Sequence, residues 1–242
     1  MADINTTPQA GSTKVKKGKG FFGWLMIIVI IALIAGGLWM YFDKKGSPDN
    51  TSGLSKGVVA MVNDYKLTDS ILERRTEQLK VTLQTQGVDL SQEGIDQRIK
   101  DQVIEDTINE QLILQEANKK SITVTDEVYN QSLDTIRARF ENEDAFKAEL
   151  DKGKYTEQEW KDSVRTQMVV QAFIDGLLKD KDVTASDEEV QAYYDQLKSQ
   201  GQEVPSLDEI KDKIAEQITN EKTAQIVQGA VNEIKASANI VK

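Results

Sequence analysis

Cysteine and histidine are both absent from the 242 residues, and proline occurs only three times. Without cysteine there is no disulfide framework and no thiol chemistry. The usual zinc sites, Ser-His and Cys-His nucleophile systems and His-based acid/base pairs are excluded as well. Carboxylate-only metal sites survive, but acidic pairs such as Glu188–Glu189 stand at helix starts, where they stabilise the macrodipole without a metal. General acid/base work near neutral pH would need a strongly shifted carboxylate or lysine, and no spacing singles one out. The composition therefore predicts a non-catalytic protein with no catalytic, metal or cofactor site. Pro8 and Pro48 lie in polar flanks, so only Pro205 interrupts the remainder and long helices go unbroken.

Against these absences stands one long apolar run, Phe21–Phe42, FFGWLMIIVIIALIAGGLWMYF. It contains no charge and no proline, and at helical rise it measures about 33 Å, the thickness of a bilayer core. Phe21, Phe22 and Trp24 mark one end and Trp39, Tyr41 and Phe42 the other, the arrangement of an interfacial aromatic belt. The run is too long for the core of a cleaved signal peptide, and no small-x-small site follows it. It predicts a single transmembrane helix. Lys14, Lys16, Lys17 and Lys19 precede it, and only Lys44 and Lys45 follow closely, which places the tail in the cytoplasm and the larger part outside. The net charge of −10 divides into +3 for residues 1–42 and −13 for the rest. So acidic a body argues against nucleic acid and against lying flat on anionic lipid.

The expected organisation is a disordered tail over 1–20, the span over 21–42, a flexible linker over 43–57 and one folded unit over 58–242. The linker, DKKGSPDNTSGLSKG, reaches about 20 Å as a coil. Val58–Val62 reads as a short buried strand, and Asn63-Asp64 as a turn. The pattern is helical from there. Thr68 or Ser70 caps a helix to Gln86, with Ser70 and Glu73 as a capping box, Gly87 beyond the end, and Ile71, Leu72, Leu79 and Leu83 on the apolar face. A second helix repeats apolar residues from Ile95 to Ile113, and a third starts near Thr125 with Val128, Leu133 and Ile136. Asn142 opens a short helix that stops around Gly153, and Thr156–Glu159 boxes a helix through Lys179. Between Met168 and Leu178 that helix is apolar nearly all round, which predicts the most buried element, with Phe173 in its core. Ser186–Glu189 caps the helix carrying Tyr193 and Tyr194. After the loop Ser199–Ser206, Ser206 and Glu209 start a long amphipathic helix, and Asn239–Lys242 is a candidate strand. The fold class is mainly α.

The order of these elements resembles a known family. VVAMVNDYKLTDSILERRTEQLK, with its Val-Asn turn and the pair Arg74-Arg75, is similar to the opening of the SurA N-terminal-like family of extracytoplasmic chaperones, including PpiD- and PrsA-like members. VIEDTINEQLILQEANKKSITVTDEV, GKYTEQEWKDSVRTQMVVQAFI and VTASDEEVQAYYDQL resemble its succeeding helices, and ANIVK its return segment, so the resemblance covers about 58–242. Where such chains insert a parvulin-type isomerase domain, this one has only Ser199–Ser206, and the histidines of that domain are missing. The resemblance therefore implies the chaperone part without the isomerase. It also implies that the ends of the folded unit meet, with Val58–Val62 pairing with Asn239–Lys242 as a small two-stranded element.

Three functions follow. The first is a membrane-anchored holdase for unfolded or nascent exported polypeptides, with Tyr129, Phe140, Phe146, Tyr155, Trp160, Met168, Tyr193 and Tyr194 as candidate peptide-binding residues. For each, core packing is the alternative role. Met61 and Met168 are the only methionines after the span, which leaves little of the adaptable Met-rich surface of some promiscuous binders. The second is a helical adaptor docking one membrane or envelope partner. The third, a prolyl isomerase, rests on family association alone.

Overall fold

A computed structural model describes residues 54–199 and 204–242. The tail 1–20, the span Phe21–Phe42 and most of the linker lie outside the described residues. Among those described, no helix is long and apolar enough to cross a membrane. The elements run β1 (Val58–Val62), β2 (Tyr65–Thr68), α1 (Asp69–Thr85), α2 (Ile95–Lys119), α3 (Asp126–Arg137), α4 (Glu143–Lys152), α5 (Glu157–Leu178), α6 (Asp187–Ser199), α7 (Leu207–Ser237) and β3 (Ile240–Val241). The fold is mainly helical, as its composition predicts.

The sheet has three strands in the order β2-β1-β3, one more than the predicted pair. The ends do meet: Met61 stands opposite Val241 and Val62 opposite Ile240, antiparallel. The additional strand is the far arm of a hairpin, with Val62 opposite Tyr65 and Ala60 opposite Leu67. Asn63 turns this hairpin at φ 54°, a left-handed conformation that asparagine tolerates better than most residues. Because β2 runs on to Thr68, the following helix starts at Asp69 and Ser70 falls inside its first turn. The capping box of Ser70 and Glu73 does not form. Thr68 is the cap, its Oγ1 accepting the Ile71 N–H at 3.4 Å.

The starts of α3 to α7 are as their local sequences predict, whereas α2 starts after Gly94 with no side-chain cap. Thr125 Oγ1 accepts the Val128 N–H, and Asn142 Oδ1 the Ala145 N–H. Thr156 with Glu159 and Ser186 with Glu189 exchange backbone and side-chain bonds, while the Ser206 N–H and hydroxyl both donate to Glu209. Gly87 takes φ 81° just past α1.

The core is spread over four apolar clusters. β1, β2, α1 and the first half of α2 enclose one around Ala60, Val62, Leu67, Leu72 and Ile108. α2, α5 and the second half of α7 enclose the next around Ile113, Ala117, Val170, Phe173, Val227 and Val231. α3, α4 and the start of α5 form a third, and α6 with the first half of α7 the fourth. The most buried helix is therefore α2 and not α5, and β1, with no exposed residue, is more buried than either. α2 is packed by α1 on one side and by α5 and α7 on another, whereas Met168, Val169, Ala172 and Leu177 of α5 keep part of their surface in solvent. Phe173 is core, at 2 % exposure. Val128, expected on the apolar stripe of α3, is 50 % exposed; α3 meets its neighbours through Leu133, Ile136 and the half-buried Tyr129.

Candidate polypeptide-binding site

Six of the eight aromatic and methionine candidates converge on the lobe built by α3, α4 and the first half of α5. Phe146 and Trp160 are its centre, with Leu133, Ile136, Leu150 and Val164 around them, and Tyr129, Phe140, Tyr155 and Met168 pack on its flanks. Phe146 meets Trp160 edge-to-face at 4.8 Å between centroids and Phe140 at 5.3 Å. Phe146 at 2 % and Trp160 at 1 % exposure are core residues, so they shape the lobe without offering surface. A shallow depression lies beside them, lined by Ile136, Phe140, Phe146, Glu149, Leu150 and Trp160. Tyr193 and Tyr194 are elsewhere, on α6 against Val190, Ile214 and Ile218, and Tyr194 donates its hydroxyl hydrogen to the Pro205 carbonyl at 3.0 Å.

Local sequence places each flank residue. Asn142 starts α4 one turn before Phe146. After α4, Tyr155 N–H returns to the Leu150 carbonyl at 2.9 Å and Lys154 takes φ 61°. A Cβ on Gly153 would lie 3.1 Å from the Tyr155 ring, so glycine allows that close return. Tyr155 then packs toward Arg74, Arg75, Glu110 and Glu159, and burial raises its phenol above the ordinary tyrosine range. The α4–α5 turn also meets α1 through polar contacts: Arg74 pairs with Glu159 at 2.9 Å and Gln78 donates to the Lys154 carbonyl at 3.2 Å.

Two arginines that composition alone does not single out cover the rings. Arg137 lies 5.0 Å from the Phe146 centroid and 5.6 Å from that of Trp160, and it pairs with Glu157. Arg165 lies 4.1 Å over Tyr129 and pairs with Asp126 at 2.7 Å, while the Tyr129 hydroxyl donates to the Lys161 carbonyl at 3.0 Å. Hydrogen bonding from Lys161, with Arg137 adding to it, holds the Glu157 carboxyl below its ordinary range. The lobe thus has an aromatic centre, partly exposed aromatic flanks and two ring-covering arginines that are each paired with a carboxylate.

The one strongly shifted carboxyl among the described residues is Asp106 on α2, pushed up to about 7 chiefly by burial. Gln102 donates to it at 2.7 Å, Glu105 and Glu110 repel its charge, and Arg75 opposes them. Neither sequence spacing nor residue type marks it, because Gln102 and Glu105 beside it give the segment the look of a solvated face. Among the described residues no group of three or more carboxylates is gathered to hold a metal.

A family model described as SurA-like N-terminal domain matches residues 13–174, about two thirds of the chain. A protein of Clostridium perfringens called "Foldase protein PrsA" is 31 % identical over 161 residues, which are 62 % of this chain and 45 % of the relative. Another of that name, from Clostridium acetobutylicum, is 26 % identical over 147 residues, 59 % of this chain and 43 % of the relative. "Chaperone SurA" of Saccharophagus degradans is 27 % identical over 134 residues, 55 % of this chain and 30 % of the relative. The chain spans about half the length of the PrsA relatives, or less.

Proposed function

This chain belongs to the SurA-like N-terminal domain family, and on that premise we propose that it is a membrane-anchored extracytoplasmic holdase without catalytic activity of its own. The names foldase and chaperone among its relatives support a role with polypeptides that have not folded. The observation that carries the reading is the α3–α5 lobe, where Tyr129, Phe140, Tyr155 and Met168 leave part of their surface in solvent and Phe140 also lines a small depression. Apolar contacts of this kind are non-directional and accept many sequences.

Phe21–Phe42 is the proposed anchor, with residues 1–20 as a cytoplasmic tail, 43–57 as tether and 58–242 as the chaperone unit outside. Residues 200–206 join α6 to α7, so the isomerase insertion of similar chains has no counterpart at that point. A tether of about 15 residues confines the unit to the first few nanometres above the membrane, where exported chains emerge. Confinement raises effective concentration, so weak contacts of low specificity suffice.

The test places a photo-crosslinking residue at Tyr129 or Phe140 in the full membrane-bound chain and adds a permanently unfolded exported model protein. Crosslinks at both positions, and none from exposed Lys100 on α2, support the reading. Equal crosslinking from all three, or none from the lobe, contradicts it.

A further inference from the structure

α7 is covered unevenly. Its second half, with Val227 and Val231, packs against α2 and α5, whereas among the described residues the apolar side chains of its first half cluster with those of α6 and Ala185 just before it. The two helices therefore form an arm whose apolar seam has no third layer among the described residues. Among the described residues of the arm Val190, Ile214 and Ile218 are buried, and Tyr193, Tyr194, Leu197, Leu207 and Ile210 stay partly in solvent. Two amphipathic helices cannot by themselves close both flanks of their shared seam, and a third helix laid along it would.

The charge around the seam says what that helix is. Asp187–Ser199 and Leu207–Lys222 carry nine carboxylates against four lysines. Lys211 pairs with Asp187 and Lys222 with Glu189, each at 2.7 Å, and Lys198 lies over the Tyr194 ring at 5.4 Å. The excess on the arm is negative. A second copy of the same arm would bring like charge to like charge, and an anionic lipid surface would be repelled in the same way. A positively flanked apolar helix satisfies both the seam and its rim.

We propose that the α6–α7 arm is a docking site for a basic amphipathic helix of a partner polypeptide. The site is separate from the α3–α5 lobe and does not depend on the holdase reading.

The experiment uses the full chain in nanodiscs of zwitterionic lipid, with empty nanodiscs as blank. The probe is a fluorescent helical peptide of roughly 18 residues, five turns, with leucine and tyrosine on one face and lysine on the other. A matched peptide carries glutamate for lysine. The basic peptide is expected to bind roughly tenfold more tightly than the acidic one, and less tightly as salt rises. The variant Asp195→Lys/Asp208→Lys/Asp212→Lys, all exposed positions, should weaken it roughly tenfold, and Tyr193→Ser should weaken it with the charge intact. The variant Asp134→Lys/Asp144→Lys/Asp151→Lys, exposed on the other lobe, should leave it unchanged. Circular dichroism confirms folding, and Tyr193→Ser decides should the arm triple variant unfold. Equal binding of both peptides overturns the proposal. So does equal loss in the two triple variants, which would reduce the effect to general acidity. A dimer of the unliganded chain that Tyr193→Ser dissolves would assign the seam to a second copy and overturn it too.

Discussion

Asn63 and Asn239 hold each other by two hydrogen bonds across 176 positions of sequence. The Asn63 N–H donates to the Asn239 carbonyl at 2.8 Å, and the Asn239 N–H donates to Asn63 Oδ1 at 2.9 Å. Asn63 Nδ2 also donates to Gln115 Oε1 at 2.6 Å, and Gln115 Nε2 to the Val62 carbonyl at 3.2 Å. One side chain thus ties the hairpin turn, the C-terminal strand and α2. Glu105 adds a second clasp by pairing with Lys235 and Lys242. Burial alone would raise its carboxyl, and the two lysines overcome that and hold it low.

Asn63→Ala should cost on the order of 2–3 kcal/mol, from the lost bonds and the strain of a Cβ residue at positive φ. Asn63→Gly keeps the turn conformation and should cost about 1 kcal/mol less. Urea unfolding of the two variants checks the order. Equal costs would mean that the turn conformation contributes nothing.

Trp160→Ala should cost on the order of 3–5 kcal/mol, since it empties the centre of the lobe under Arg137 and Phe146. Val128→Ala, on the exposed side of α3, should change stability by about 0.5 kcal/mol or less. Thermal or urea unfolding separates the two. A Trp160 cost below about 1 kcal/mol would place the core of the lobe elsewhere.

Arg75 grips Glu110 through both guanidinium nitrogens, at 2.8 and 3.3 Å, and reaches Thr107 at 3.3 Å. Glu110→Gln leaves a half-buried guanidinium without its counter-charge, and with a third of that side chain in water it should cost roughly 1–2 kcal/mol, less than for a fully dry pair. Adding Arg75→Met should cost less than the sum of the two single changes. Additive costs in the double-mutant cycle would show that the pair contributes nothing as a pair.

Asp106 gives a pH signature of defined sign. Its folded value, about 7, lies above its unfolded value, so the native state holds a proton that the unfolded chain has released. That contribution is complete below about pH 4 and is lost as pH rises through about 7. Asp106→Asn, which preserves an acceptor for Gln102, should match the parent near pH 4 and exceed it in stability at pH 8 by on the order of 2–4 kcal/mol. Denaturant titrations across that range test it. A difference that does not change with pH would show that the Asp106 carboxyl is ordinary.

What could be read from the sequence was local. Thr125, Asn142, Thr156, Ser186 and Ser206 were legible as caps because each acts within three residues of itself. β2 was not, because Tyr65–Thr68 is too short for an alternation to stand out and is held by its partner β1. Phe140, Phe146 and Trp160 share a character in sequence, but only packing by α3 and α5 makes the last two core and leaves the first on the rim. Asp106 is hidden for the same reason. Arg75 and Gln102 beside it come from two helices, and only the packing of those helices takes part of Asp106 out of water.

The central proposal is that this chain is anchored at a membrane and holds unfolded polypeptides on its α3–α5 lobe. The direct measurement is light scattering from a chemically unfolded exported protein diluted into nanodiscs carrying the full chain, with empty nanodiscs as blank. Suppression of aggregation at micromolar chain, reduced several-fold in Tyr129→Ser/Phe140→Ser while the fold is retained, is the predicted result. No suppression at any ratio, together with tight binding of a single folded partner, would contradict it and make the chain an adaptor.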